Sequence, residues 1–184
     1  MIPEQQHSNN ALIIFTKNPV LGECKTRLAS TTSDEYALRV YVELLRHTRE
    51  IALSLDVSRH LFYSNEVHLN DDWAEADFKK FVQCGHDLGA RMRAAFETSF
   101  EQCKRVIIIG SDCASLQPQI VDLAFAKLET HPFVIGPTFD GGYYLLGMQQ
   151  FEPSVFDDIE WSTETVFENT KQRFEALGKT YFTL

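Results

Sequence analysis

The sequence predicts a three-layer α/β fold: a mostly parallel sheet with one antiparallel excursion and helices on both faces. Three observations predict it. Short apolar runs of strand length alternate with segments whose apolar residues recur at helical spacing. The clearest runs, ALIIFT and RVIIIG, are apolar almost throughout, as strands buried on both faces are. A late run, YYLLGM, follows Asp140-Gly141-Gly142, a turn that can reverse the chain's direction.

In chain order, residues 1–10 (MIPEQQHSNN) are polar and read as a loose arm before a single domain over residues 11–184. Ala11–Thr16 is a buried strand bounded by Asn18-Pro19. Asp34–Leu55 is a helix, because Ala37, Tyr41, Leu44, Leu45, Thr48, Ile51, Ala52 and Leu55 keep helical spacing behind Thr32-x-x-Glu35, a capping-box spelling. Val57–Ser64 alternates as a second strand. The acidic stretch NEVHLNDDWAEADF reads as loop with at most one helical turn, and Phe78–Cys84 as a strand.

Asp87–Phe100 is a helix whose opening Asp87 can accept from exposed backbone N–H groups. Arg105–Gly110 is a buried strand, Pro118 opens a helix within Gln117–Thr130, and Phe133–Pro137 is a strand closed by proline. Tyr143–Met148 follows as a strand, then a helix over Thr163–Leu177 capped by Ser162 or Thr163, and a final strand over Lys179–Leu184.

Composition sets outer bounds. Hydrophobic residues make up 44% and charged residues 23%, an ordinary balance for a chain that buries one continuous core. The net charge of -9 opposes nucleic-acid backbones and anionic membrane surfaces, so neither is expected as a partner. Four cysteines lack a C-x-x-C pair, which argues against a zinc site or a thioredoxin-like motif and for reduced, mostly packed thiols. No signal peptide and no apolar window of membrane length is spelled out, and the cytoplasm is the expected location.

The segment KNPVLGECKTRL resembles a phosphate-binding loop without being one. A P-loop needs successive glycines with the lysine directly after the last; here Gly22 stands alone and too early for Lys25. The loop nevertheless follows the first strand, so Lys17, Lys25 and Arg27, around a Pro19 and Gly22 turn, are candidates to grip a nucleotide's phosphates by side chain. GSDCASL puts Asp112 at a strand's carboxyl end, where a carboxylate can hold Mg or Mn against diphosphate oxygens; capping a turn is the structural alternative.

In PTFDGGYYLLG, Asp140 is a candidate second metal ligand, sugar-hydroxyl acceptor or general base, while a plain hairpin turn explains the same letters. Gly89 falls in the first turn of a helix, where its low propensity calls for a reason such as close approach of substrate; Arg91 and Arg93 beside it read as solvated helix charges. Trp161 is a candidate wall for a sugar or base pocket. Six histidines form no motif.

Taken in order, KNPVLGECKTRL, QCGHDLGARMRAAF, GSDCASL, GPTFDGGYYLLG and IEWSTETVF resemble the glycosyltransferase-like family of GT-A fold known as the radical-SAM/selenodomain-associated transferase type. That family is related to 2-phospho-lactate guanylyltransferase and molybdenum cofactor guanylyltransferase, and the match runs over nearly the whole chain. The resemblance implies a Rossmann-like nucleotide-diphospho-sugar transferase fold, with Lys17, Lys25 and Arg27 at the nucleotide's phosphates. It also implies Asp112 as the metal-binding aspartate, with Asp140, Gly141, Gly142 and Trp161 on the acceptor side. Gly22, Gly89 and Arg91 complete the expected nucleotide contacts.

Two departures stand out: Ala114 replaces the usual proline after Gly-Ser-Asp-Cys, and members continue past the last strand into an Asp-rich segment and a further helix, where this sequence ends at Leu184. The expected function is Mg- or Mn-dependent transfer of a glycosyl or nucleotidyl group from a nucleotide or nucleotide-sugar donor to a small acceptor. A nucleotide-binding or regulatory protein of the same fold, without turnover, is the alternative. A P-loop kinase is disfavoured by the spacing of Gly22.

Overall fold

The computed structural model describes residues 8–184, so most of the arm read over residues 1–10 lies outside the described residues. The elements run β1 (Asn10–Thr16), α1 (Thr26–Ala29), α2 (Asp34–Ser54), β2 (Ser58–Tyr63), β3 (Lys79–Val82), α3 (Leu88–Phe100), β4 (Arg105–Gly110), α4 (Pro118–Lys127), β5 (Phe133–Pro137), β6 (Tyr143–Met148), a 3-10 turn (Pro153–Phe156), α5 (Val166–Ala176) and β7 (Tyr181–Thr183). All seven strands form one sheet in the order β3-β2-β1-β4-β6-β5-β7. The block β3-β2-β1-β4 is parallel; β6 runs antiparallel to both β4 and β5, and β7 is parallel to β5. This is the mixed α/β sheet that the alternation and the Asp140-Gly141-Gly142 turn predict.

The pleat divides the core between two faces. Leu12 and Ile14 of β1, with Ile107 and Ile109 of β4, pack against Ile51 and Ala52 of α2 and Val121 and Ala124 of α4. Ala11, Ile13, Val106 and Ile108 point the other way, onto Met92 and Phe96 of α3, Val155 of the 3-10 turn and Phe174 of α5. Because both faces are covered, ALII is fully buried, and each such Leu or Ile contributes about 1.5–3 kcal/mol relative to exposure. The strands at the centre of the sheet are therefore rigid, and their carboxyl ends are fixed platforms for loops.

Two helix starts differ from the expected ones. The cap of α2 is Ser33, whose hydroxyl accepts from the Tyr36 amide at 3.2 Å. Thr32 instead donates to the Leu28 carbonyl at 2.7 Å, closing the end of α1, so the capping box does not form. Helix α5 begins at Val166 rather than Thr163, with no side-chain cap from Thr165. Its early amide at Phe167 donates to the Gly141 carbonyl at 2.8 Å, so a distant turn does the capping. The stretch NEVHLNDDWAEADF is loop as expected, yet it is anchored: Trp73 is buried and edge-on to Phe78 at 5.0 Å.

Candidate active site at the carboxyl ends of β1 and β4

Strands β1 and β4 are parallel neighbours in register from Asn10↔Arg105 to Phe15↔Gly110, so the loops that follow them leave the sheet side by side. The loop after β1 is pinned at both ends. Asn18 is buried, donates from Nδ2 to the Glu66 carbonyl at 2.9 Å and accepts from the Asn65 amide at 3.3 Å. Cys24, also buried, donates its thiol to the Asn18 carbonyl at 3.5 Å. Between them Val20 and Leu21 are exposed, and Gly22 takes φ 81, a conformation open to glycine.

Two of the loop's amides are engaged locally: Val20 N–H donates to the Asn18 carbonyl at 2.9 Å and Glu23 N–H to the Val20 carbonyl at 3.1 Å. With Gly22 alone, the loop lacks the successive glycines of a P-loop nest. Lys17, Lys25 and Arg27 are the cations it carries.

Beneath the loop lies a hydroxyl cluster. The Tyr41 hydroxyl, from α2, accepts from the Lys17 amide at 2.9 Å and donates to the Lys17 carbonyl at 3.1 Å. It also lies 3.3 Å from both Thr16 Oγ1 and Ser111 Oγ. Tyr41 thus joins the residue that opens the first loop to the residue that precedes Asp112. Lys17 itself is exposed, its backbone held by Tyr41.

Lys25 reaches across from the first loop to the second, placing Nζ 2.9 Å from Asp112 Oδ2. It does so from the left-handed region, at φ 48 and ψ 47. That conformation costs about 1–2 kcal/mol for a residue with a side chain, while a partly exposed ion pair returns about 0–1 kcal/mol. The pair alone does not hold the loop; Asn18 and Cys24 do. Among the described residues no group of three or more His, Cys, Asp or Glu could enclose a metal ion. One exposed carboxylate fits a Mg or Mn ion completed by a substrate's diphosphate oxygens, the usual habit of Mg, and does not fit an all-protein site.

Arg27, the second residue of α1, lines a cavity of about 410 Å³ together with Leu88, Asp140, Gly142, Tyr143 and Trp161. Asp140 Oδ1 accepts from the Thr138 hydroxyl at 2.5 Å and from the Gly142 amide at 3.4 Å. The Thr138 hydrogen bond first, then the Gly142 amide and more weakly the Arg27 charge, hold the Asp140 carboxyl below the usual range. A carboxylate so stabilised is a weak base and a good hydrogen-bond acceptor. The turn offered as one reading of these letters forms, and Asp140 borders the cavity from within it.

Other expected residues are elsewhere employed. A Cβ on Gly89 would sit 2.2 Å from Trp161 Nε1, so this helical glycine makes room for an indole, not for a substrate. A Cβ on Gly141, at φ +83, would lie 1.9 Å from the Glu164 carbonyl oxygen; Gly141 lets the β5–β6 turn press onto the entry to α5 and does not line the cavity. Arg91 donates from Nε to the Gly85 carbonyl at 3.2 Å, holding the turn into α3. Arg93 lies 3.7 Å from Asp157. Asn18, Tyr41 and Ser111 were not singled out as site residues in the sequence, because nothing local marks a side chain whose partners are distant in the chain; Thr138, two residues before Asp140, was passed over as part of the turn.

A mixed sheet in this order, with cations and a carboxylate at the ends of β1 and β4, defines a GT-A-like nucleotide-diphospho-sugar transferase fold. The chain belongs to the family described as an uncharacterized protein conserved in bacteria (DUF2064), which matches residues 46–163. Among solved structures, it is similar to a Desulfovibrio desulfuricans G20 protein provisionally described as a nucleotide-diphospho-sugar transferase, with TM-score 0.89, 29% identity, and coverage of 96% of this chain and 80% of that one.

The 4-diphosphocytidyl-2C-methyl-D-erythritol synthase of Anaerococcus prevotii DSM 20548 is similar at TM-score 0.60 and 10% identity, covering 96% of this chain and 86% of the other. Rv0371c of Mycobacterium tuberculosis H37Rv, in complex with manganese, is similar at TM-score 0.57 and 11% identity, covering 97% and 88%. At these identities the likeness is one of fold. No curated protein matches the chain. Among the described residues no helix is long and apolar enough to cross a membrane.

Proposed function

We propose that the protein is a Mg- or Mn-dependent transferase that moves a nucleotidyl or glycosyl group from a nucleotide or nucleotide-sugar donor to a small acceptor. One observation carries this reading: a single loop after β1 sends Lys25 to Asp112 and Arg27 to the cavity of Asp140. The charged first-loop site and a separate cavity then share the edge of one mixed sheet at the carboxyl ends of β1, β4 and β5. The provisional description of the 29%-identical Desulfovibrio protein supports the same class.

In this reading the donor's diphosphate lies over the first loop, where Lys17 and Lys25 meet its oxygens as compact charges. Lys25 exchanges Asp112 for a phosphate oxygen of the donor, and the freed Asp112 carboxylate is the group that would hold Mg or Mn. Bound there, the metal would supply charge neutralisation for the departing diphosphate. Asp140 accepts a hydrogen bond from the acceptor's hydroxyl and aims its oxygen; low basicity suits orientation better than proton abstraction. Gly89 and Arg91 act at one remove, by seating Trp161 and by holding the Gly85 turn.

Incubation with nucleoside triphosphates and nucleotide-sugars, Mn and a set of hydroxylated acceptors tests the reaction class. Pyrophosphate released from a nucleoside triphosphate identifies nucleotidyl transfer, and nucleoside diphosphate released from a nucleotide-sugar identifies glycosyl transfer. Saturable binding of a donor with neither product from any pair would replace this reading with that of a binding protein.

A further inference from the structure

We infer that Lys25 is a built-in competitor of the metal: its ammonium holds the Asp112 carboxylate, so the site admits Mg or Mn only together with a donor whose phosphates draw the lysine away. The inference rests on the transferase reading and adds a regulation of its metal site.

The carboxylate is engaged on both sides. Asp112 Oδ2 receives Lys25 Nζ at 2.9 Å. The other oxygen, Oδ1, lies against the end of β4, 3.1 Å from where a Cβ on Gly110 would stand, so a glycine at that position leaves room for it. An ion arriving alone must displace an ammonium that is already in place.

No second acid compensates. Among the described residues no group of three or more His, Cys, Asp or Glu is placed to hold a metal ion, so Asp112 and water are all that the protein offers a bare cation there. Mg relies on substrate phosphates at such sites. A lysine charge a few ångströms from a divalent ion lowers that ion's affinity by about 5- to 20-fold in a largely solvated setting. The competition is therefore decided by whether phosphate is present to take the lysine.

Lys25 is built to leave. Buried Cys24, its chain neighbour, and buried Asn18 fix the loop, so only the side chain has to swing. Its backbone sits in the left-handed region at φ 48, the kind of strain that clusters at switching sites. The pair it makes is weak, with side chains 29% and 60% exposed, and a diphosphate presents more charge than one carboxylate. The site is thereby kept from collecting divalent cations, and the metal–nucleotide complex is the form of donor it takes.

The test titrates Mn alone, followed by loss of the free ion's electron paramagnetic resonance signal, into wild type, Lys25→Met, Lys25→Arg and Lys25→Met combined with Asp112→Asn. Lys25→Gly, which suits a left-handed backbone, is a second neutral variant should Lys25→Met fold poorly. Thermal shifts with Mn and nucleotides or nucleotide-sugars are run on wild type in parallel. The expected result is Mn affinity about 5- to 20-fold higher in the neutral variants than in wild type, with no gain in Lys25→Arg and none in the double variant.

Equal Mn affinity in wild type and the neutral variants overturns the inference, and so does a gain that survives Asp112→Asn, since the ion then binds elsewhere. A wild-type Mn·nucleotide shift without the gain sinks the inference and leaves the transferase reading intact. The gain without any nucleotide shift is the converse: exclusion of the metal by Lys25 stands and the transferase reading fails.

Discussion

Lys25 Nζ and Asp112 Oδ2 lie 2.9 Å apart, bridging the loops that leave the two adjacent strands β1 and β4. The side chains are 29% and 60% exposed, so the pair is worth little to the fold and is easily exchanged for a ligand's charges. Asp112→Asn is therefore expected to change unfolding free energy by about 1 kcal/mol or less, while removing metal-dependent donor binding. Denaturant titration and calorimetry of the same variant separate the two.

Tyr41 offers a different balance. Tyr41→Phe keeps the ring's packing but removes the hydroxyl shared by Thr16, Lys17 and Ser111. A cost of about 1–3 kcal/mol in stability is expected from the groups left unsatisfied. Slackening of the Lys17 backbone should also raise the donor's Kd beyond what the stability loss explains; binding measured well below the variant's Tm checks this.

Gly89→Ala drives a methyl group into the Trp161 indole and is expected to cost about 1–3 kcal/mol by overpacking. Because the clash is with one side chain, Gly89→Ala in a Trp161→Phe background should cost measurably less. A double-mutant cycle of urea midpoints reads the coupling.

Gly141→Ala has no such relief. The new methyl meets the Glu164 backbone carbonyl, and the left-handed φ adds its own strain, so a loss of about 3 kcal/mol or more is expected. Helix α5, whose Phe167 amide bonds to the Gly141 carbonyl, should show the largest rise in amide hydrogen exchange.

His60 on β2 is 1% exposed, its Nδ1 is 2.7 Å from Ser99 Oγ and its Nε2 has no partner. Burial first, then the Lys79 charge, lowers its pKa from 6.5 to about 4. The folded state therefore keeps His60 neutral while the unfolded chain binds a proton. Stability from this group is full above pH 6.5 and is lost as pH falls toward 4, by about 3 kcal/mol at most. Replacing the pair by His60→Leu with Ser99→Ala should flatten the pH dependence of the unfolding midpoint in that window.

The strands were legible because burial on both faces leaves continuous apolar runs: Arg105–Gly110, Phe133–Pro137 and Tyr143–Met148 occur at their expected limits. Helix starts were less so wherever the cap came from elsewhere, as when Gly141 rather than Ser162 or Thr163 serves α5. The places of Asp112 and of the first loop's cations just after strands were legible, which made them candidates. The contact between Gly89 and Trp161 could not, since the two are remote in sequence and each has an ordinary local explanation. The division of Lys25 and Arg27 between two sites depends on the course of the pinned loop, which letter patterns do not encode.

The most direct test of the central claim compares melting temperatures of wild type and Asp112→Asn against nucleotides and nucleotide-sugars, with and without Mn. A donor at a hundredfold excess over its Kd stabilises by about 2.7 kcal/mol, on the order of 5–10 °C for a chain of this size. Wild type is expected to show such a rise with one class of donor and only with Mn, and Asp112→Asn to lose it at an unchanged ligand-free Tm. No shift with any donor, or an equal shift in the variant, would overturn metal-dependent donor binding at Asp112.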